Sequence, residues 1–85
     1  MFIIKAEKND VRISFDNGIS TTLLHTINLN ESIDMQILNN VIENTSGGDT
    51  LILNGKYYCK GGNNWHRPKE KLSNSDVLNE ITKIN

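Results

Sequence analysis

Three side chains of this 85-residue chain are of the types that bind soft metals or act as a nucleophile and its base: Cys59, His25 and His66. A structural zinc site usually has four ligands in paired spacing, and no two of these residues show such spacing. Cys59 and His66 could meet in space, but the sequence indicates no third group to orient the histidine. We therefore predict no metal and no catalytic residue. Cys59 is expected to be a small buried core residue, and His25 a partly buried strand residue.

The carboxylates and glycines also indicate structure rather than catalysis. Glu31 and Asp34 are three residues apart, so they would share a helix face, which suits acid–base chemistry or an ion site. Acidic residues also belong in the first turn of a helix, where they offset its dipole, and we favour that role. The glycine pairs at 47–48 and 61–62 lack both the GxGxxG and the Gly-Lys-Ser/Thr patterns of nucleotide-binding sites. The sequence predicts no cofactor and no enzyme.

Charge is unevenly distributed along the chain. No Lys or Arg occurs from Ile13 to Gly55, and then basic residues arrive together, interleaved with aromatic ones. Such a basic, aromatic segment can guide and hold a partner without catalysis. The predicted partner-binding residues are Lys56, Tyr58, Lys60, Trp65, Arg67, Lys69 and Lys71. The second candidate is an acidic helix face formed by Glu31, Asp34 and Glu43.

Within the basic segment, Arg67, Lys69 and Lys71 alternate, and in an extended chain they would share one side. Trp65 has two interpretations that the sequence leaves open. It could be a contact residue, or it could fold back as a lid over a small core.

A hairpin is predicted at Asn54-Gly55, a pair that favours a type I′ turn. It would place Leu53 opposite Lys56, and Leu51 opposite Tyr58. The lysines on this side favour exposure, which would leave Leu51, Leu53 and Tyr58 as an apolar patch and bury Ile52, Tyr57 and Cys59. The alternative is that the last helix covers this side, with the lysines extending from its edge.

Two earlier stretches, residues 2–7 and 11–16, alternate apolar and polar side chains as half-buried strands do, with a polar turn at 8–10 between them. The turn after Phe15 decides how a third strand pairs. A loop of three residues, with Gly18 left-handed, would place Phe15 opposite Ile19 and Val11 opposite Leu23. This register gathers the apolar residues on one face and turns His25 inward, so we predict it over a two-residue loop.

Two segments have the pattern of amphipathic helices. In the first, the predicted start is a capping box of Asn28 and Glu31, with Asn30 an equally good cap, and the glycines at 47–48 end it. Its apolar stripe is Ile33, Ile37, Leu38, Val41 and Ile42. In the second, Ser73 and Asp76 form a capping box before an apolar side of Val77, Leu78, Ile81 and Ile84. Between the helices, 61–64 is predicted to be a flexible loop, and Pro68 disfavours helix at Arg67.

The predicted fold is therefore α+β: a small antiparallel sheet in the order β-β-β-α-β-β-α, packed on one or two helices, within a single domain of residues 1–85. The alternative with the same early element order is a small OB-like barrel. The predicted core consists of Phe2, Ile4, Val11, Ile13, Phe15, Ile37, Val41 and Ile52.

Size and composition favour a cytoplasmic protein without a membrane span. A single cysteine excludes an internal disulfide, and the first ten residues carry charges without an apolar stretch. Asn, Ile and Lys make up 31 of the 85 residues, which is typical of AT-rich genomes. In size and composition the chain looks like accessory proteins of phages and mobile elements, which would place it in the host cytoplasm.

Three functions follow as hypotheses. The first is a small non-catalytic protein-binding module, an accessory or inhibitor protein that blocks a host defence or nucleic-acid-handling protein. The second is a nucleic-acid-binding domain that uses the basic, aromatic segment, although a pI near 6.0 is low for that class. The third is a small-ligand binder whose site lies at the interface of a homo-oligomer.

Overall fold

A computed structural model describes residues 1–8 and 10–84, with the side chain of Ile84 left out. Asn9, in the predicted turn, and the Ile84 side chain therefore lie outside the described part of the chain. The elements are β1 (Phe2–Glu7), β2 (Asp10–Asp16), β3 (Thr21–Ile27), α1 (Ser32–Glu43), β4 (Thr50–Leu53), β5 (Lys56–Gly61), β6 (Asn64–Arg67), β7 (Glu70–Ser73) and α2 (Asn74–Ile84).

The strands form one seven-stranded sheet in the order β3-β2-β1-β4-β5-β6-β7. The α+β class is confirmed, but the sheet is mixed because β1 and β4 pair in parallel through the α1 crossover. It has two strands more than predicted. It is also open, ending at β3 and β7, so the OB-like barrel is wrong.

The two additional strands come from the segment predicted to be a loop and an extended arm. Gly62, with φ of 61°, allows a tight turn at residues 62–63, so the chain returns along β5 as β6. Pro68 and Lys69 form a second turn, with Lys69 left-handed at φ 66°, and β7 follows. Arg67 and Lys71 therefore lie on different strands, and the one-sided basic ladder is wrong.

The register of β3 also differs from the prediction. Val11 pairs with Ile27 and Phe15 with Thr22, so the loop spans residues 17–20. The Asn17 side chain shapes this loop by accepting the backbone N–H groups of Ile19 and Ser20, both at 2.9 Å. A three-residue loop would leave these N–H groups without that acceptor.

Helix α1 starts and ends within a few residues of its predicted limits, but its caps differ. Glu31 is the N-cap residue and its side chain makes no capping hydrogen bond. The predicted capping box is therefore wrong; the Asn28 N–H instead donates to Asp34 Oδ2 at 2.7 Å. The helix ends at Glu43, before the glycines at 47–48.

The apolar stripe of α1 is confirmed at its centre and wrong at its start. Leu38 and Ile42 are buried, and Ile37 and Val41 are partly buried against the same core. Ile33, in the first turn, is 70% exposed. The helix thus packs on the sheet through its C-terminal two-thirds.

The β4–β5 hairpin has the predicted register, with Leu53 opposite Lys56 and Leu51 opposite Tyr58. Both turn residues, Asn54 and Gly55, have positive φ, as a type I′ turn requires. The prediction of which face is buried was wrong.

The reason is α2, which packs over the face that carries Leu51, Leu53 and Tyr58, so that all three are buried. Tyr57 and Cys59 are exposed on the other face, and Ile52 is half-buried there beside Lys5 of β1. The alternative in which the last helix covers the lysine-bearing side is the one observed.

Both helices cover one face of the sheet, and the core lies between them. Of the predicted core, Ile4, Val11 and Ile13 are fully buried. Phe2 is partly buried and meets Phe15 edge-on, with ring centroids 5.4 Å apart. Phe15 itself is exposed near the sheet end, which contradicts its core assignment.

Helix α2 begins with the predicted capping box. The Ser73 N–H donates to Asp76 Oδ2 at 3.0 Å, and the Asp76 N–H donates to Ser73 Oγ at 3.1 Å. Val77 and Ile81 then enter the core. In the described part of the chain, neither helix is long and apolar enough to cross a membrane.

Candidate functional site

The seven residues of the predicted binding surface are divided between the inside and the outside of the molecule. Tyr58, Lys60 and Trp65 are buried under α2. Arg67 is half-buried; Lys56, Lys69 and Lys71 are exposed. A surface that runs through all seven is therefore not available to a partner.

Lys60 is part of the interior. Its Nζ donates to Asn74 Oδ1 at 2.7 Å, and Trp65 Nε1 donates to the same oxygen at 3.1 Å. The ammonium also lies 5.0 Å from the centroid of the Trp65 ring, which is cation–π distance. Burial lowers the pKa of Lys60, and the charge of Asp49 partly opposes that shift. These contacts join β5 and β6 to the start of α2.

Glu70 connects the basic residues at the β7 end. The Tyr58 hydroxyl donates to Glu70 Oε2 at 2.6 Å, and Lys56 Nζ and Arg67 Nε lie 3.8 and 4.0 Å from the Glu70 carboxylate. The Tyr58 hydrogen bond, with smaller help from the two cations, lowers the pKa of Glu70. Burial first, and then Glu70, raises the pKa of Tyr58. The arrangement ties β5, β6 and β7 together.

A shallow groove of about 320 Å³ opens beside this cluster, between Leu53, Leu72 and Glu80. Arg67 Nη1 is buried nearby without a hydrogen-bond partner among the described residues. The guanidinium lies 5.7 Å from the Tyr58 ring centroid, so its contact there is with the aromatic face.

Cys59 is exposed, which contradicts its predicted burial. It lies on the uncovered face of the sheet because its neighbours Tyr58 and Lys60 point toward α2. His66 is directly opposite Cys59 on β6, and its Nε2 is 3.1 Å from the Gly61 carbonyl oxygen. No group of three or more His, Cys, Asp or Glu side chains in residues 1–8 and 10–84 is arranged to hold a metal ion.

The acidic candidate residues are associated with α1. Asp34 accepts the Asn28 N–H, which joins the end of β3 to the first turn of the helix. Glu31 and Glu43 are exposed near its two ends. Of the three carboxylates, that of Asp34 therefore lies next to the end of the outer strand β3.

That outer strand is the feature that the sequence analysis missed. β3 is seven residues long, from Thr21 to Ile27, and it carries no charged residue. Leu23 and Leu24 are 52% and 46% exposed, and Ile19 in the preceding loop is 94% exposed. The outer side of β3 has no strand neighbour among the described strands. We call this surface, β3 with Phe15 and Ile19, the β3 edge.

The two adjacent leucines lie at a β-bulge in β3. Ile13 pairs with His25 and Ser14 with Leu23, so Leu24 has no partner in the β2–β3 register. A bulge changes the strict alternation of side chains and can re-aim one of them. His25, which was predicted to be partly buried, is exposed in the same part of the strand.

One sequence signal for this edge was present. Residues 21–27 contain no Lys, Glu, Asp, Arg or Pro, which are the residues that usually protect an outer strand from pairing. The predicted register concealed it by placing Leu23 opposite Val11, inside the core.

The chain was compared with protein families, with curated proteins and with solved structures. It matches no family model, no curated protein sequence and no solved structure.

Proposed function

We propose that this protein is a non-catalytic protein-binding module that captures an extended segment of another protein as an additional strand on the β3 edge. The observation that supports the proposal is the chemistry of β3: seven uncharged residues on an open side of the sheet, with Leu23 and Leu24 about half exposed. Backbone groups of an open strand give affinity to an incoming strand, and side chains give it specificity.

The surrounding residues fit this role. Among the residues that the structure describes, seven large apolar side chains are substantially exposed, and five of them belong to or adjoin the β2–β3 end of the sheet: Met1, Phe15, Ile19, Leu23 and Leu24. The Met1 amine donates to the Asp16 carbonyl at 2.9 Å, which brings residue 1 to this end. Exposed apolar groups that cluster in this way commonly mark a protein-binding surface.

Strand capture also suits an inhibitor or accessory protein. A segment that is paired with β3 is no longer available to its owner, so capture alone blocks whatever that segment does. The nucleic-acid alternative as predicted, with bases stacked on Tyr58 and Trp65, is less well supported, because both of these rings are buried.

The proposal can be tested with a displayed library of random peptides selected on the immobilised protein. We expect selected peptides to lose binding to Leu24→Lys and to keep binding to Tyr57→Lys. The control variant is Tyr57→Lys, because Tyr57 is 67% exposed and lies on β5, which is distant from β3 in the strand order.

A second measurement identifies the binding mode. In an added strand, alternate backbone N–H groups face β3, so N-methylation of one alternating set should abolish binding while methylation of the other set leaves it. Equal loss from both sets, or binding that survives Leu24→Lys, would contradict strand capture on β3.

A further inference from the structure

We propose that the face of the sheet away from the helices binds single-stranded nucleic acid at β5–β7, through the rings of Tyr57 and His66 and the ammonium group of Lys71. This surface is distinct from the β3 edge, so the inference does not depend on strand capture. It follows from the side chains that β5, β6 and β7 present on the uncovered face.

Four side chains form a compact group on this face. Cys59 lies opposite His66, and His66 lies opposite Lys71, so these three form one row across β5, β6 and β7. Tyr57 precedes Cys59 by two residues on β5 and therefore shares its face. Tyr57 and His66 are diagonal neighbours, with Cα atoms about 7 to 8 Å apart. All four side chains are exposed, that of Tyr57 by 67%.

The His66 ring is positioned beside β5. Its Nε2 is 3.1 Å from the Gly61 carbonyl oxygen. Gly61 leaves room for the ring, because a Cβ at that position would lie 3.2 Å from His66 Cδ2. Two exposed rings, one on β5 and one on β6, are therefore available on a flat surface. Unpaired bases of single strands stack on tyrosine and histidine rings in this way.

The charge on this part of the face is positive. Residues 50–73 contain one carboxylate, that of Glu70, and it accepts the Tyr58 hydroxyl on the side of the sheet that α2 covers. Lys69, in the β6–β7 turn, and Lys71 are exposed, and neither pairs with a carboxylate in the described part of the chain. A phosphate that approaches β5–β7 from the uncovered side therefore meets cations.

The other half of the same face carries both signs of charge, which limits the site to β5–β7. The charged groups on and beside β1 and β2 are the cations Met1, Lys5, Lys8 and Arg12 and the anions Glu7, Asp10 and Asp16. Lys5 lies 3.6 Å from Glu7. Arg12 lies 3.0 Å from Asp10. Cations and anions that alternate in this way give little net attraction for a polyanion.

The rings favour nucleic acid over other polyanions. An acidic peptide would use the lysines alone, whereas a single strand uses the lysines for its phosphates and the rings for its bases. A double helix keeps its bases paired and stacked, so they do not reach Tyr57 and His66. The surface should therefore prefer a single strand to both.

The inference can be tested by fluorescence anisotropy with a labelled oligothymidylate, at low salt and across a salt series. The comparison ligands are an oligouridylate, a DNA duplex and an oligo-glutamate peptide of the same length. We expect both single strands to bind more tightly than the duplex and the peptide. Tyr57→Ala should weaken binding about tenfold, because one stacked base is lost.

Lys71→Gln should weaken binding and reduce the slope of log K against log salt concentration by about 0.7, the value for one phosphate contact on a single strand. Lys83→Gln removes the same charge from α2, on the opposite face, and should leave the slope unchanged. Leu24→Gln, on the β3 edge, should also leave nucleic-acid binding unchanged.

Cys59 provides a second measurement in the unmodified protein. It is the chain's single cysteine, it is exposed, and it adjoins both rings. Bound oligothymidylate should protect it from alkylation by iodoacetamide, followed by mass spectrometry of the intact protein. The oligo-glutamate peptide should not protect it.

Binding of the thymidylate, the uridylate or both supports the inference, and the tighter of the two identifies DNA or RNA as the source. The inference is overturned if no oligonucleotide binds, or if the duplex or the peptide binds as tightly as the single strands. It is also overturned if Tyr57→Ala, folded by circular dichroism, binds like the unmodified protein, or if bound oligonucleotide leaves Cys59 fully reactive.

Discussion

The sheet ends in two outer strands with different composition: β3 has seven uncharged residues, of which all but Ile27 are exposed, whereas β7 has four residues that include Glu70 and Lys71. β7 is short, charged and tied inward through the Glu70 contacts with Tyr58, Lys56 and Arg67. These are the features by which proteins protect an outer strand from pairing. β3 shares one protective feature with such strands, the β-bulge at Leu24, but it is longer than β7 and uncharged.

The two sides of the sheet differ in how much apolar side-chain surface they bury. The β7 side holds the largest buried side chain, Trp65, and the capped helix α2. The β3 side leaves apolar area in water, a cost that a folded domain of this size tolerates only if its remaining core is sufficient. The contacts of the protected edge stabilise the fold, and in the proposed function the open edge is the one that a partner pairs with.

The largest expected effect comes from removing the side chain on which the protected side depends. Trp65→Ala should lower the free energy of unfolding by about 3 to 5 kcal/mol, because a fully buried aromatic ring is lost. Leu23→Ala on β3 should lower it by less than about 1 kcal/mol. Trp65 is the chain's single tryptophan, so urea unfolding is followed by circular dichroism. Equal losses would show that the two sides do not differ in this way.

A smaller effect is expected at the helix cap beside β7. Ser73→Ala removes the acceptor for the Asp76 N–H and should cost about 1 kcal/mol. Ser32→Ala, at the first residue of α1, is the matched change near β3. It should cost less, because α1 has Glu31 as N-cap without a side-chain cap bond. The reverse order in urea unfolding would contradict the assigned caps.

The protected edge should also respond to acid through Glu70. Its pKa is below the usual value of 4.5, chiefly because the Tyr58 hydroxyl donates to it. The folded state therefore binds the proton less well than the unfolded state, so this stabilisation is present above pH 4.5 and is lost as the pH falls through the lower, folded-state pKa. Glu70→Gln should flatten this part of the stability–pH curve. Glu43→Gln, on α1, is the control, and an unchanged curve in Glu70→Gln would contradict the role given to this carboxylate.

The smallest effect on stability, and the most direct comparison of the two edges, comes from Lys71→Thr. Lys71 is exposed, so the free energy of unfolding should change by no more than about 0.5 kcal/mol. Removing a charge from β7 should nevertheless make that edge more prone to pairing, seen as a rise in association by sedimentation. The control variant Lys83→Thr, on α2, should not increase association. If neither variant associates, the charge on β7 is not what protects that edge.

The parts of the fold that could be predicted are those set by neighbours in sequence. Asn54-Gly55 determines the β4–β5 turn and its register, and Ser73 with Asp76 determines the start of α2. Each depends on backbone conformations or hydrogen bonds within a few residues.

The parts that failed depend on distant segments or on one side chain in a loop. The buried face of β4–β5 is decided by α2, which lies some twenty residues later, and alternation alone does not distinguish the two faces. The β3 register depends on a four-residue loop, in which the Asn17 side chain accepts two backbone N–H groups, and on the bulge at Leu24. The binding prediction followed charge and aromatic content, and so it included Tyr58, Lys60 and Trp65, which the fold buries.

The parallel pairing of β1 with β4 has a consequence for how the chain folds. Every other neighbouring pair in the sheet is consecutive in sequence, whereas this one joins Ile3 to Thr50. The buried Asp49 carboxylate fixes the junction by accepting the N–H groups of Phe2 at 2.9 Å and Ser46 at 2.8 Å. The sheet consists of two meanders, β1–β3 and β4–β7, in which neighbouring strands follow each other in sequence. Such local pairings form quickly, whereas closing a long loop costs entropy before its contacts form. We expect the meeting of the two meanders to be the slow step of refolding, so that Asp49→Asn slows refolding more than it speeds unfolding in stopped-flow experiments.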